Sequence, residues 1–173
     1  VLKRHPFLLP KISDLLLNLQ GFKYATALDL SMGYYHIPLS KNSQKLCTTV
    51  LLWGKYSYKR LPMGISSAPD IFQPIMHDLL GNLDFCCVYI DDVLIISDGS
   101  YEDHLAKLKI VLGRLNQANF RANVRKCYFA QDNLEYLGYQ LTQEGIQPQP
   151  QKVEAICQLQ APKTRKQLRH FLG

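Results

Sequence analysis

Several things are missing from this chain. Its five cysteines, Cys47, Cys86, Cys87, Cys127 and Cys157, are odd in number and contain no C-x-x-C spacing. Neither a disulfide framework nor a zinc site is indicated, and a reducing compartment fits. No signal-peptide layout opens the chain, and the longest apolar run is too short to span a bilayer and is split by two acids. A soluble protein with no membrane partner is expected. Internal repeats and low-complexity tracts are absent as well. So is any excess of acid: 20 Lys and Arg stand against 14 Asp and Glu, for a formal charge of +6 and a pI near 9.1. That balance suits a polyanionic partner without demanding one. With 47% hydrophobic and 20% charged residues the 173-residue chain is not disordered and can bury one proper core. It begins at Val1 without Met and ends at Leu172-Gly173 without a tail, so it reads as a segment of a longer polyprotein.

What is present is most concentrated at Tyr89-Ile90-Asp91-Asp92, two adjacent carboxylates inside the apolar run 85–96. The run reads as two short strands whose only charges fall where the chain must reverse. Asp is a good turn residue, and a turn alone would account for the pair. Carboxylates beside a core are costly, however, and a divalent cation is their natural occupant. A third acid, Asp29, sits in the similar setting Ala27-Leu28-Asp29-Leu30. With Asp91 and Asp92 it would supply hard oxygen ligands from two separate elements.

The remaining elements follow from pattern. Residues 10–20 carry Ile12, Leu15, Leu16 and Leu19 at helical spacing and close on Gly21. Residues 24–30 form a strand, and 46–52 with 56–60 a hairpin around Trp53-Gly54-Lys55. A helix capped by the Ser67 hydroxyl runs to Leu80 and is bent by Pro74. Another, capped by Ser100, runs through Asn116 with Leu105, Leu108, Leu112 and Leu115 facing the core. Strands are expected near 126–129 and 136–141, a linker over 145–150, and short helices over 151–159 and 165–172.

Four ordered stretches carry a resemblance. Leu28-Asp29-Leu30-Ser31-Met32-Gly33-Tyr34-Tyr35-His36-Ile37, Leu61-Pro62-Met63-Gly64-Ile65-Ser66-Ser67-Ala68-Pro69, Tyr89-Ile90-Asp91-Asp92 and Leu137-Gly138-Tyr139 resemble the motifs of a reverse transcriptase palm, in the variety found in gypsy-type LTR retrotransposons. The resemblance implies an α+β polymerase palm: an antiparallel sheet with helices on one face and the acids on the other. Residues 1–145 would be palm with partial fingers, the fingers insertion covering about 38–66, and 146–173 a linker and the start of the thumb. The implied activity is RNA-directed DNA synthesis, adding deoxynucleotides to a primer 3′ end on an RNA or DNA template. RNase H and integrase are implied in the same polyprotein, in a cytoplasmic virus-like particle or the nucleus.

The resemblance also implies roles. Asp29 and Asp91 would bridge two Mg2+ ions, with Mn2+ as a substitute; Asp92 would be a looser ligand and the Leu30 carbonyl an uncharged one. Tyr34, five residues after Asp29, would lie under the incoming sugar and exclude a 2′-hydroxyl. Gly64 would let backbone approach the nucleotide or template, Gln73 would contact template or the neighbouring loop, and Tyr89 would border the substrate. Met63 stands where retroviral enzymes carry Gln, so no amide bond to the nucleotide is implied there. Lys126 would protonate departing pyrophosphate, and Leu137, Gly138 and Tyr139 would grip the primer. Lys163, Arg165, Lys166, Arg169 and His170 would meet phosphates. Two other readings remain: a co-opted retroelement domain that binds nucleic acid without synthesis, and an RNA-dependent RNA polymerase palm. Tyr34 and a Tyr-Ile-Asp-Asp turn in place of Gly-Asp-Asp speak against the second.

Overall fold

The computed structural model describes residues 7–9, 11, 12, 15, 19, 21–158 and 161–172. Most of the helix expected over 10–20 lies outside the described residues. Its centre is a four-stranded antiparallel sheet in the order β4-β5-β1-β6, built from β1 (Tyr24–Asp29), β4 (Cys86–Tyr89), β5 (Asp92–Ser97) and β6 (Tyr128–Gln131). Strand β5 is central in more than position. Val93, Leu94 and Ile95 are all 0% exposed, which for alternating side chains means both faces of the sheet are covered.

Helices cover one face. Helix α2 (Ala68–Leu80) and helix α3 (Tyr101–Gln117) pack Phe72, Met76, Leu80, Leu108, Val111 and Leu115 against Leu28, Val93 and Ile95. Each such side chain contributes about 1.5–3 kcal/mol on leaving water. The other face carries Ala25 and Leu94 beneath Leu134, Tyr136 and Leu141. Those three belong to a second sheet of β7 (Asn133–Tyr136), β8 (Tyr139–Thr142) and β9 (Gly145–Pro148). Asp29 alternates with Ala25 and Ala27 along β1, and Asp92 with Leu94 and Ile96 along β5, so these two acids lie on the face away from the helices, as expected, at the end of the strands.

Between β1 and α2 lie a short helix α1 (Lys41–Leu46), N-capped by the Ser40 hydroxyl, and the hairpin β2 (Thr48–Leu51) with β3 (Gly54–Ser57). Backbone bonds from Leu39 to Lys59 and from Leu61 to Ile37 close this segment at its base. The hairpin turns at Leu52-Trp53 rather than around Gly54, because Leu51 pairs with Gly54.

Several expectations are corrected. Ser67 stands before α2 but does not cap it with its hydroxyl: its backbone is already helical (φ −90°, ψ −1°) and cannot aim the side chain at the first turn. Pro74 lies inside α2, where the sequence places it. The buried face of α3 is His104, Leu108, Val111 and Leu115, while Leu105 and Leu112 are exposed. Residues 124–126 form a 3-10 turn, moving β6 two residues later. The strand expected over 136–141 is interrupted by a two-residue turn with positive φ at Leu137 (48°) and Gly138 (82°), the pairing a tight hairpin requires. The linker expected from 145 begins as strand β9, its Pro148 at a sheet edge where no donor is needed. Helices α4 (Pro150–Cys157) and α5 (Arg165–Leu172) follow.

Candidate active site

Asp29 is the last residue of β1 and Asp92 the first of β5, and the antiparallel register pairs them directly. Asp91 lies in the turn from β4 to β5, and its carbonyl oxygen accepts the Leu30 N–H at 3.0 Å. Three acids from two elements are thus fixed to one end of the sheet by backbone bonds. Ser31 N–H donates to Arg121 O (2.7 Å) and Asn123 N–H to Asp29 O (2.8 Å). These flank the Leu30–Ala122 bridge and make it a non-bonded rung, which leaves the Leu30 carbonyl oxygen out of both bonds.

The acid turn is strained and braced. Ile90 has φ +55°, a left-handed conformation that a β-branched residue adopts only when its surroundings impose it. Gln73 is 2% exposed; its Oε1 accepts the Ile90 N–H at 2.6 Å and its Nε2 donates to Val88 O at 3.0 Å. With both amide atoms used and the side chain buried, Gln73 is bonded to the neighbouring loop, one of the two contacts expected of it. On the other side, the Tyr136 hydroxyl donates to Asp92 O at 3.3 Å.

Charge is concentrated here. Burial pushes the Asp92 carboxyl above the usual carboxylate range, Asp91 and Asp29 push it further, and Lys126 pulls it back. Lys126 Nζ stands 3.7 Å from Asp29 Oδ2 with its side chain 66% exposed, so it neutralises part of the cluster while remaining open to solvent. Carboxylates that repel in this way are the donor set a hard divalent cation relieves. The match lies in chemistry and placement: among the described residues no three His, Cys, Asp or Glu side chains already close on one point. Burial, and secondarily Asp91, also raises the Tyr34 hydroxyl above its ordinary value.

Tyr34 lies on a 3-10 turn (Gly33–His36), its ring 5.0 Å from that of Phe72. At Gly33 the backbone runs close to its neighbours: a Cβ there would meet Phe72 Cζ at 2.8 Å and Asp91 Cβ at 3.7 Å. Tyr89 is opposite Asp92 in the β4–β5 register. Gly64 has φ +89° with open space around a built Cβ. Asp29, Asp92, Lys126 and Leu137 share an open cleft of about 320 Å³ with Arg125 and Glu135. Leu137-Gly138 is the β7–β8 turn, and Lys152 Nζ donates to Gly138 O at 3.3 Å. Tyr139 is 38% exposed. Lys163, Arg165, Lys166 and Arg169 are exposed along and just before α5, while the side chain of His170 lies outside the described residues.

Sequence reasoning did not single out Gly33, Arg125, Glu135 or Tyr136. Gly33 had a usable signal, a glycine four residues after an acid in a motif otherwise rich in aromatics. Tyr136 had none, since its partner is a backbone atom far away in the chain.

The geometry agrees with comparisons across known proteins. A family model described as reverse transcriptase (RNA-dependent DNA polymerase) matches residues 3–141. The Retrovirus-related Pol polyprotein from transposon opus of Drosophila melanogaster is 38% identical over 95% of this chain and 17% of its own length. That from transposon gypsy of the same species is 36% identical over 98% of this chain and 16% of its own. The chain thus spans about a sixth of the relatives it matches. The Transposon Tf2-3 polyprotein of Schizosaccharomyces pombe is 36% identical over 95% of this chain and 12% of its own. Among solved structures, a foamy viral protease-reverse transcriptase in complex with double-stranded DNA superposes with TM-score 0.85 at 28% identity, over 100% of this chain and 29% of that one. One in complex with an RNA/DNA hybrid gives 0.82 at 29%, over 94% and 22%. No described helix is long and apolar enough to cross a membrane. With its acids on adjacent strands, its four motifs in order and its backbone superposing on these polymerases, the chain belongs to the reverse transcriptase (RNA-dependent DNA polymerase) family.

Proposed function

We propose that the protein containing this chain extends a primer 3′ end with deoxynucleotides on an RNA or DNA template, and that Asp29, Asp91 and Asp92 carry the reaction. The observation that supports this most is the register pair Asp29–Asp92 with Asp91 tied to Leu30. The complexes of the foamy viral relatives with hybrid and duplex support a template-primer as partner. Asp29 and Asp91 would hold two Mg2+ or Mn2+ ions, with Asp92 and the Leu30 carbonyl as further ligands. Bound there, the ions supply the positive charge that lowers the pKa of the primer hydroxyl and steadies the triphosphate.

The chain's own residues do the rest. Tyr34, held by Phe72, walls off the position of a 2′-oxygen. Lys126 holds a proton at Nζ beside Asp29 for the departing pyrophosphate. The Leu137-Gly138 turn, with Tyr139, supports the primer terminus, and Gly64 and Tyr89 border the nucleotide. Most of the catalysis is positioning. Residues 38–66 act as fingers and 146–173 as the beginning of the thumb, with Lys163, Arg165, Lys166 and Arg169 on phosphates. RNase H and integrase belong to the same polyprotein, working in a virus-like particle or the nucleus.

Primer extension in the naturally expressed enzyme tests the reading. Asp29→Asn and Asp91→Asn each abolish extension while leaving the fold intact; near wild-type extension by either removes that residue from catalysis.

A further inference from the structure

Earlier on β1 than Asp29, and on the opposite face of the sheet, a threonine hydroxyl is bonded on two sides. We propose that Thr26 is a positioning residue for Lys126: its buried hydroxyl, seated on His104, holds a bulge in β6, and that bulge sets where Lys126 stands beside Asp29. The proposal rests on the role of Lys126 given above.

Strand β6 holds one residue more than its partner. Ala27 pairs with Tyr128 and Ala25 with Gln131, so Phe129 and Ala130 together stand opposite Thr26 alone, the two-against-one count of a β-bulge. Ala130 takes φ +48° there, a left-handed conformation that glycine adopts freely and alanine does not. Something outside the strand must favour it. The Ala130 N–H donates to Thr26 Oγ1 at 3.0 Å, so the side chain opposite the bulge supplies the acceptor. Thr26 is itself held. It is fully buried, as is His104 on α3, whose Nε2 lies 2.7 Å from the same oxygen, and Ser97 Oγ lies 2.8 Å from the other ring nitrogen. A helix and the central strand thus fix the hydroxyl, and through it the bulge.

The bulge joins two anchored stretches. Before it, Asn123 N–H donates to Asp29 O, and Lys126 N–H returns to Asn123 O at 2.8 Å. After it, Leu134 and Tyr136 are buried in the second sheet. Flattening the bulge passes its extra residue along the strand, a step of about 3.3 Å. The buried end resists, whereas Tyr128 and the Lys126 side chain are exposed, so the exposed end yields. That step is close to the 3.7 Å that separates Lys126 Nζ from Asp29 Oδ2, enough to carry the ammonium off the acid cluster.

The test is a double-mutant cycle on single-turnover extension by the naturally expressed enzyme, with one template-primer. Lys126→Ala slows extension about a hundredfold or more, as loss of a general acid does. Thr26→Val keeps the shape of the side chain and gives up the acceptor. It slows extension about tenfold or more and speeds exchange of the Ala130 amide hydrogen about tenfold or more. Thr26→Ser keeps the hydroxyl and stays within about twofold of wild type in both readouts. Added to Lys126→Ala, Thr26→Val slows extension by less than about a further twofold, because the residue it positions is already gone. If Thr26→Val does not fold, Thr26→Cys carries the same expectation, since its thiol is a weaker acceptor. A further loss of about tenfold in the double variant overturns the proposal, because the hydroxyl then acts without Lys126. So does a Thr26→Val rate within about twofold of wild type, or unchanged Ala130 exchange. In each of these cases a slow Lys126→Ala leaves the reading of Lys126 standing; a Lys126→Ala rate near wild type overturns both.

Discussion

Tyr136 reaches across the interface between the two sheets to donate its hydroxyl proton to the backbone carbonyl of Asp92, 3.3 Å away, from a ring only 4% exposed. Burial raises its pKa far above the ordinary tyrosine value, so the group stays a donor at any working pH. It is also the residue before the Leu137-Gly138 turn, and so couples the hairpin proposed to support the primer to the strand that begins with Asp92.

Tyr136→Phe deletes that bond and little else. A loss of about 1 kcal/mol in urea denaturation is expected, with a severalfold slower single-turnover extension. Tyr136→Ala, which also empties a core position, costs about 3–5 kcal/mol. Wild-type behaviour of Tyr136→Phe in both assays would show that the two hairpins are not linked through this oxygen.

Asp92 is destabilised by burial and then by Asp91 and Asp29. Removing its charge relieves both, so Asp92→Asn raises stability in EDTA, by less than about 1 kcal/mol because the carboxyl is partly solvated. In Mg2+ the order reverses, since the wild type gains a ligand that the variant lacks. Thermal melts with and without the cation check this, and a variant less stable in EDTA sinks it.

His104 is 0% exposed and bonded at both ring nitrogens, by Thr26 Oγ1 at 2.7 Å and Ser97 Oγ at 2.8 Å. Burial, then Lys107, holds its pKa below the ordinary 6.5, against a small opposing pull from Asp103. The folded chain thus prefers the neutral ring. The resulting stability is fully present above the unfolded-state pKa of about 6.5 and is lost as pH falls through the folded value. Denaturation midpoints between pH 7 and pH 5 should decline in the wild type and flatten in His104→Gln. Equal slopes would assign the decline to other groups.

Gly33→Ala places a methyl 2.8 Å from the Phe72 ring, itself wedged between Tyr34 at 5.0 Å and Phe120 at 5.8 Å. The ring cannot yield freely, and overpacking of about 1–3 kcal/mol is expected. Because Asp91 is the next neighbour, extension should fall more than stability alone explains. A fully active, fully stable Gly33→Ala would show that this approach is slack.

Tyr34→Val removes the proposed wall beneath the sugar. The ratio of kcat/KM for ribonucleotide over deoxynucleotide should rise about tenfold or more, some 1.4 kcal/mol. Tyr34→Phe should change it little, since the ring is the barrier. An unmoved ratio in Tyr34→Val makes Tyr34 a packing partner of Phe72 and nothing more.

The acids were legible because charge inside apolar strand sequence is conspicuous, and β1, the acid turn and α2 follow from local pattern. The inward face of α3 was not. Two stripes, Leu105-Leu108-Leu112-Leu115 and His104-Leu108-Val111-Leu115, share two members and both keep helical spacing. What selects the second is a histidine whose polarity is satisfied by hydroxyls 78 and 7 residues away, and no local pattern carries that. Gln73 is similar: the resemblance left template and neighbouring loop both open, and only its burial and its bonds to Val88 and Ile90 show the contact to the loop.

The register of β1 against β5 acts as a ruler. Hydrogen-bonded strands repeat at roughly 4.8 Å whatever their side chains, close to the separation of about 4 Å that a pair of catalytic metal ions requires. Because Asp29 and Asp92 are partners on adjacent strands, their spacing is inherited from the peptide ladder and is indifferent to most mutations around it. A slip of one strand by one residue would turn its acid to the opposite face from its partner, and Val93, Leu94 and Ile95, all 0% exposed, make that slip costly. The surrounding sequence is thereby left free to diverge while the spacing of the acids stays fixed.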